Sequence, residues 1–245
     1  MSMDLPRIYA HRVSEPCSEW THCGSHCCQA GKIFRGLDSG THLAVLPIPE
    51  VEWQELKARV PNEDWWAEPA RKVSITLGGR TLRFRLQPCN LGGRCNASIR
   101  PLICRLYPYM PYVGSDGRVQ ELTVPALVDL LWGASPAPDP CLMRTPDRRQ
   151  AYIDRWNDLL SELSVADRRE LCLWLNVSYL YVEAFRAAFQ EALVEAKAGS
   201  HDEAVKVLLQ CQRSQLFLGD SDFQARVEDE VAKWSLPASP GEMGP

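Results

Sequence analysis

From residue 145 onward apolar residues recur at three-to-four spacing over long stretches, and earlier in the chain only over short ones. Tyr152, Trp156, Leu159, Leu160 and Leu163 make one stripe, which predicts an amphipathic helix. Thr145 followed by Pro146 opens it, with a capping hydroxyl and then a ring whose fixed φ suits the first turn. Ser164 with Asp167 starts a second, longer helix. Its stripe runs through Leu171, Trp174, Leu175, Val177, Tyr181, Phe185, Phe189 and Leu193, with a stop near Gly199. Ser200 and Glu203 form a capping-box pair that begins a third helix through Val207, Leu208 and Cys211.

The first part of the chain alternates instead. KVSITL and RTLRFRL flank Gly78-Gly79, and a two-glycine turn supplies the positive φ that tight hairpins need. That register sets Ile75 opposite Leu82 and Val73 opposite Phe84, leaving Ser74, Thr76, Thr81, Arg83 and Arg85 on the other face. Pro47 and Pro49 lead into a short helix over residues 51–60, with Val51, Leu56 and Val60 on its apolar face, Trp53 at the edge and Pro61 as its stop. A strand is expected over 118–124 after the Ser115-Asp116-Gly117 turn, one or two helical turns over 127–132, and a loop or hinge in GASPAPDPC. Residues 1–45 carry no periodic segment. The expected fold class is α+β: an irregular cysteine-rich lobe with a β-hairpin over 1–144, a mainly helical lobe over 145–235, and a disordered tail over 236–245.

Composition narrows the function classes. With 245 residues, 45% hydrophobic and 24% charged, the chain suits a soluble globular protein. A net charge of -4 gives no global attraction to nucleic acid or an anionic membrane, although Arg80, Arg83, Arg85, Arg94, Arg100 and Arg105 crowd the middle. The N-terminus has no secretory apolar run, and Asn176, Glu183 and Arg186 interrupt the most apolar segment, residues 171–189. A cytoplasmic location follows as the expectation, with no membrane and no nucleic-acid partner.

In that compartment thiols stay reduced, so clustered cysteines read as metal binding or redox chemistry rather than disulfides. Of the 10 cysteines, Cys17, Cys23, Cys27 and Cys28 lie in CSEWTHCGSHCC, Cys89, Cys95 and Cys104 in PCNLGGRCNASIRPLICRLYP, and Cys141 after Asp139-Pro140. These eight are the candidate metal ligands. Between consecutive cysteines the spacings are x5, x3, zero, x5 and x8; Cys23 and Cys28 alone are spaced C-x4-C, and no second knuckle pairs with them as in structural zinc sites. This irregular spacing fits an iron–sulfur cluster, with 4Fe-4S preferred and zinc the alternative. Adjacent side chains in an extended chain point apart, so Cys27 and Cys28 either serve two metals or divide between ligation and another role. Arg94 and Arg105 either offset thiolate charge or are solvated surface. His11, His22, His26 and His42 either complete mixed ligation or are polar loop residues. Cys172 and Cys211, alone on apolar helix stripes, read as core residues. Trp65 and Trp66, with Asp64 and Glu68, either line a pocket or pack between the lobes. No G-x-S-x-G elbow, P-loop or dinucleotide motif occurs. A Cys104–His42 nucleophile would leave seven companion thiols unexplained.

Cys23-Gly24 followed by Cys27-Cys28, then Cys89, Cys95 and Arg100-Pro101-Leu102-Ile103-Cys104-Arg105-Leu106-Tyr107-Pro108, resembles the YkgJ-type cysteine-cluster family. The resemblance spans about residues 17–108 and implies a zinc- or iron-chelating protein. It is also distantly similar to flagellin lysine N-methylases, which implies a cluster-dependent, S-adenosylmethionine-using enzyme as a further alternative. Whether the chain is an enzyme stays open on these residues. So does a purely structural zinc module that presents its helical lobe to a protein partner.

Overall fold

A computed structural model describes residues 4–11, 45–59, 70–77, 80–88, 100–124, 145–214 and 216–235. Through them the chain forms α1 (Leu5–Ala10), β1 (Val45–Pro49), α2 (Glu50–Arg59), β2 (Arg71–Leu77), β3 (Arg80–Pro88) and α3 (Leu102–Leu106). Then come β4 (Met110–Val113), β5 (Val119–Thr123), α4 (Pro146–Glu162), α5 (Val165–Glu195), α6 (His201–Ser214), a 3-10 turn (Leu216–Gly219) and α7 (Ser221–Ser235). Helices accompany two small antiparallel sheets, ordered β1-β3-β2 and β4-β5. The fold is α+β.

The helix starts follow their caps. The Thr145 hydroxyl accepts from the Arg148 amide, and the Ser164 hydroxyl accepts from Asp167 N at 3.2 Å. Glu203 Oε2 accepts from Ser200 N at 3.0 Å while Ser200 Oγ accepts from Glu203 N at 3.3 Å, a reciprocal capping box. Of the stripe residues, Tyr152, Trp156, Leu159, Leu160, Leu163, Leu171, Trp174, Leu175, Val177, Phe185 and Phe189 are buried, and Tyr181 and Leu193 are half-buried. Cys172 and Cys211 are buried too, as their stripe positions predict, and burial pushes the Cys172 thiol up to about 12. A helix over 221–235 is not among the expected elements. Yet Phe223, Val227, Val231 and Trp234 are buried at helical spacing, and Asp220 Oδ1 caps the turn by accepting from Phe223 N at 2.8 Å.

The hairpin has the expected register, Ile75 opposite Leu82 and Val73 opposite Phe84. A third strand joins it, beyond what the pattern predicts: β1 pairs with β3, Pro47 opposite Leu86 and Pro49 opposite Phe84. Prolines are tolerated there because β1 is the sheet's edge, where a missing N–H need not break a ladder. The expected 118–124 strand is β5. It pairs with β4 across a turn in which Gly117 sits at φ 74, and Arg118 N donates to Asp116 Oδ1 at 3.0 Å.

The N-terminal half departs from expectation in two further ways. Residues 5–10 form α1, capped where Asp4 Oδ1 accepts from Arg7 N at 3.1 Å and with proline in the first turn. And α2 carries a residue inward that its apolar pattern does not mark: Leu56 and Trp53 are buried and Val51 is half-buried against the core, but Glu52 is buried with them, while Val60 lies outside the described residues. The expected elements at 127–132 and in GASPAPDPC, the residues Trp65 and Trp66, and the tail from 236 lie outside the described residues.

One apolar cluster runs across residue 145. Leu5 and Ile8 of α1, Leu82 of β3, Leu102 and Leu106 of α3, and Met110 and Val113 of β4 pack with the buried faces of α4, α5 and α7. A smaller cluster joins Ile48 of β1 to Trp53 and Leu56 of α2. Among the described residues no helix is long and apolar enough to cross a membrane.

Candidate metal centre

The RPLICRLYP segment folds into α3 and the cis Tyr107-Pro108 bond that follows it. Pro101 caps the helix: its carbonyl accepts from Cys104 N at 2.9 Å and from Arg105 N at 3.1 Å. Leu102 and Leu106 point into the core and are fully buried, whereas Cys104, on the opposite side of this short helix, is half-buried. A partly accessible thiol beside guanidinium groups is the setting in which cysteine is reactive or ligates. Cys172, enclosed by apolar side chains with a raised pKa, is the contrasting case.

What holds α3 in place is a carboxylate. Glu52 is fully buried, and its Oε1 accepts from Leu102 N at 2.5 Å and from the Tyr9 hydroxyl at 2.5 Å. Its Oε2 has no hydrogen-bond partner among the described residues. Burial pushes Glu52 up to about 7, against the lowering pull of Tyr9, the Leu102 amide and Arg105. The same burial and the Glu52 charge push the Tyr9 hydroxyl upward.

Arg105 closes the group from the other side of Cys104. It lies over the Tyr9 ring at 4.4 Å, donates from Nη1 to the Tyr9 carbonyl at 3.3 Å, and donates from Nε to the Arg100 carbonyl at 2.8 Å. Burial pulls its guanidinium below the ordinary value, while Tyr9, Glu52 and a negative Cys104 favour its charged form. Arg59 stacks on the same Tyr9 ring at 5.6 Å. Arg105 therefore sets one positive charge within electrostatic reach of the Cys104 thiol.

The stems of the other cysteine segments meet the same helix. Trp53, next to Glu52 on α2, donates from Nε1 to Oε1 of the buried Gln87 at 3.3 Å, two residues before Cys89. Arg85 stacks on Trp53 at 4.5 Å and pairs with Glu50, Nε to Oε2 at 2.5 Å. Tyr9 and His11 precede the first cysteine block, and His11 Nε2 sits 3.1 Å from the Arg155 carbonyl of α4. That contact occupies one ring nitrogen of His11.

Of the eight candidate ligands, Cys104 is described; Cys17, Cys23, Cys27, Cys28, Cys89, Cys95 and Cys141 lie outside the described residues, as do His22, His26 and His42. Among the described residues no group of three or more histidine, cysteine or carboxylate side chains is arranged to hold a metal. Glu52 and Tyr9 are not among the site residues expected from the sequence. A signal existed for Glu52, which precedes Leu56 by four positions and so shares its helix face. No family model, no curated protein and no solved structure matches the chain.

Proposed function

We propose that the chain is a metal-binding protein whose clustered cysteines hold an iron–sulfur cluster, 4Fe-4S in preference, as its resemblance to the YkgJ-type family implies. The ligand pool is Cys17, Cys23, Cys27, Cys28, Cys89, Cys95, Cys104 and Cys141. One observation carries the reading: adjacent residues of α2, Glu52 and Trp53, bind the stems of three thiol-bearing segments, at Tyr9, Gln87 and Leu102. Gln87 lies two residues before Cys89 in the sequence, and Leu102 two before Cys104. Donor chemistry agrees, because Cys104 is half-buried and close to Arg105. Several thiolates need such compensation as well as the metal's own charge. A bound cluster would supply one-electron redox capacity, and the residues around α3 hold and orient one thiol toward it.

Protein purified without oxygen should be brown and contain iron and acid-labile sulfide. Replacing Cys104 by serine should lower the metal content sharply. Cys172→Ala and Cys211→Ala should leave it unchanged, since both thiols are core residues. A colourless protein holding stoichiometric zinc would replace the cluster with the structural zinc alternative. Protein purified without oxygen that holds neither iron nor zinc would reject the reading.

A further inference from the structure

Glu52 is placed where a carboxylate is costly. It is fully buried, one of its oxygens has no partner among the described residues, and a leucine could fill the same apolar face beside Leu56. A half-satisfied buried carboxylate calls for an explanation in what it holds. What it holds is specific. Oε1 takes the Leu102 amide, whose α3 position leaves no partner one turn back, and the Tyr9 hydroxyl. Tyr9 in turn takes Arg105 by its carbonyl and by its ring. Leu102 lies two residues before Cys104 and Arg105 one residue after, so Cys104 is bracketed by two anchors that meet at Tyr9 and Glu52.

We propose that Glu52 is a positioning residue: through Leu102 and Tyr9 it fixes the helical turn that presents the Cys104 thiol and the flanking Arg105 charge. Glu52 itself does not touch the metal. The role of the thiol as a ligand rests on the metal-centre reading above, whereas its placement does not. An acceptor oxygen at this position is what matters, rather than a negative charge. Glutamine should therefore serve, and leucine should not.

The test uses the full chain as wild type, Glu52→Gln, Glu52→Leu and Tyr9→Phe, with two readouts. The first is the rate at which a chelator removes iron from the loaded protein, together with its visible and paramagnetic spectra. E52L should lose metal about tenfold faster and show an altered spectrum, the usual scale for removing a residue that orients a ligand, while E52Q should match wild type. The second uses protein stripped of metal, in which alkylation of Cys104 is followed by peptide mass spectrometry. There E52L should change the Cys104 rate and leave that of the core Cys172 unchanged, and E52Q should change neither. Should E52L fail to fold, Y9F removes one of the two bonds to Glu52 and should move both readouts in the same direction by less.

Wild-type retention and Cys104 alkylation in folded E52L and Y9F overturn the proposal. If wild-type protein carries no metal at all, the function proposed above fails, and the alkylation comparison alone still decides for or against positioning by Glu52.

Discussion

Glu230→Ala is expected to destabilise the protein by about 3–5 kcal/mol, because it removes one buried acceptor on which several donors converge. Glu230 lies on α7, is 6% exposed, and accepts from three uncharged side chains. These are the Tyr112 hydroxyl at 2.6 Å, Asn176 Nδ2 at 2.7 Å and Trp234 Nε1 at 2.9 Å. Lys233 Nζ adds an ion pair at 3.3 Å. Asn176 extends the network to the sheet: its Oδ1 accepts from Val113 N at 2.7 Å and its Nδ2 donates to Val113 O at 2.8 Å. Truncation leaves three donors in or beside the core without their acceptor, each costing about 1–3 kcal/mol before relaxation. Burial alone would raise the Glu230 pKa, but the bonds from Asn176, Tyr112 and Trp234 and the Lys233 charge outweigh it and hold it below the usual carboxylate range. Against a total stability of roughly 5–15 kcal/mol, the loss should lower the melting temperature by roughly 6–20 °C. Glu230→Gln keeps an acceptor oxygen and should cost less. Urea unfolding of the three proteins decides the matter. An alanine variant within about 1 kcal/mol of wild type would mean the network is not a stabilising hub.

That network also explains which parts of the fold could be read from the chain. The α5 stripe was legible because Leu171, Trp174, Leu175 and Phe185 repeat at helical spacing, and its start because Ser164 and Asp167 announce a cap. Asn176 reads as a blemish in that stripe. Its meaning depends on Val113 and Glu230, 63 and 54 residues away, and no local pattern carries such a pairing. The same holds for β1, in which two prolines argue against a strand until β3 is known to lie beside it. Helix α3 is one short turn whose buried apolar residues, Leu102 and Leu106, are too few to make a periodic signal.

For the candidate site, the residue types were legible and the means of holding them were not. A cysteine between Arg100 and Arg105 is visible in any reading of RPLICRLYP. That its helix is pinned by a glutamate 50 residues earlier is a tertiary fact. The α2 pattern finds Leu56 and Trp53 on the inner side but passes over Glu52, because hydrophobicity alone does not place a glutamate in a core. Glu52 turns inward because the Tyr9 hydroxyl and the Leu102 amide wait there. Arg85, on the face the hairpin pattern marks as polar, similarly finds Glu50 and the Trp53 ring rather than open solvent.

Glu52→Gln should also change how stability depends on pH, by an amount second only to the loss of Glu230. The folded protein holds the Glu52 proton to about pH 7, because burial raises its pKa from an ordinary value of 4.5. Between those two values the unfolded chain has released the proton and the native state keeps it. The native state then binds more protons, so stability falls as pH rises through this window. Above pH 7 the loss is complete, on the order of 3 kcal/mol, and below pH 4.5 it vanishes. The groups facing this carboxyl are Tyr9, the Leu102 amide and Arg105, and all three already act in the opposite direction. Glu230, whose pKa is lowered, contributes with the other sign, its stability being lost as the pH falls through its folded value. The difference between wild type and Glu52→Gln removes that contribution, because Glu230 is common to both. Glutamine keeps an acceptor for the Leu102 amide and for Tyr9 but cannot ionise. The variant should match wild type near pH 4.5 and exceed it increasingly up to pH 7, then stay parallel. Chemical denaturation of metal-free protein at several pH values measures that difference directly, and parallel curves throughout the window would show that Glu52 does not titrate there.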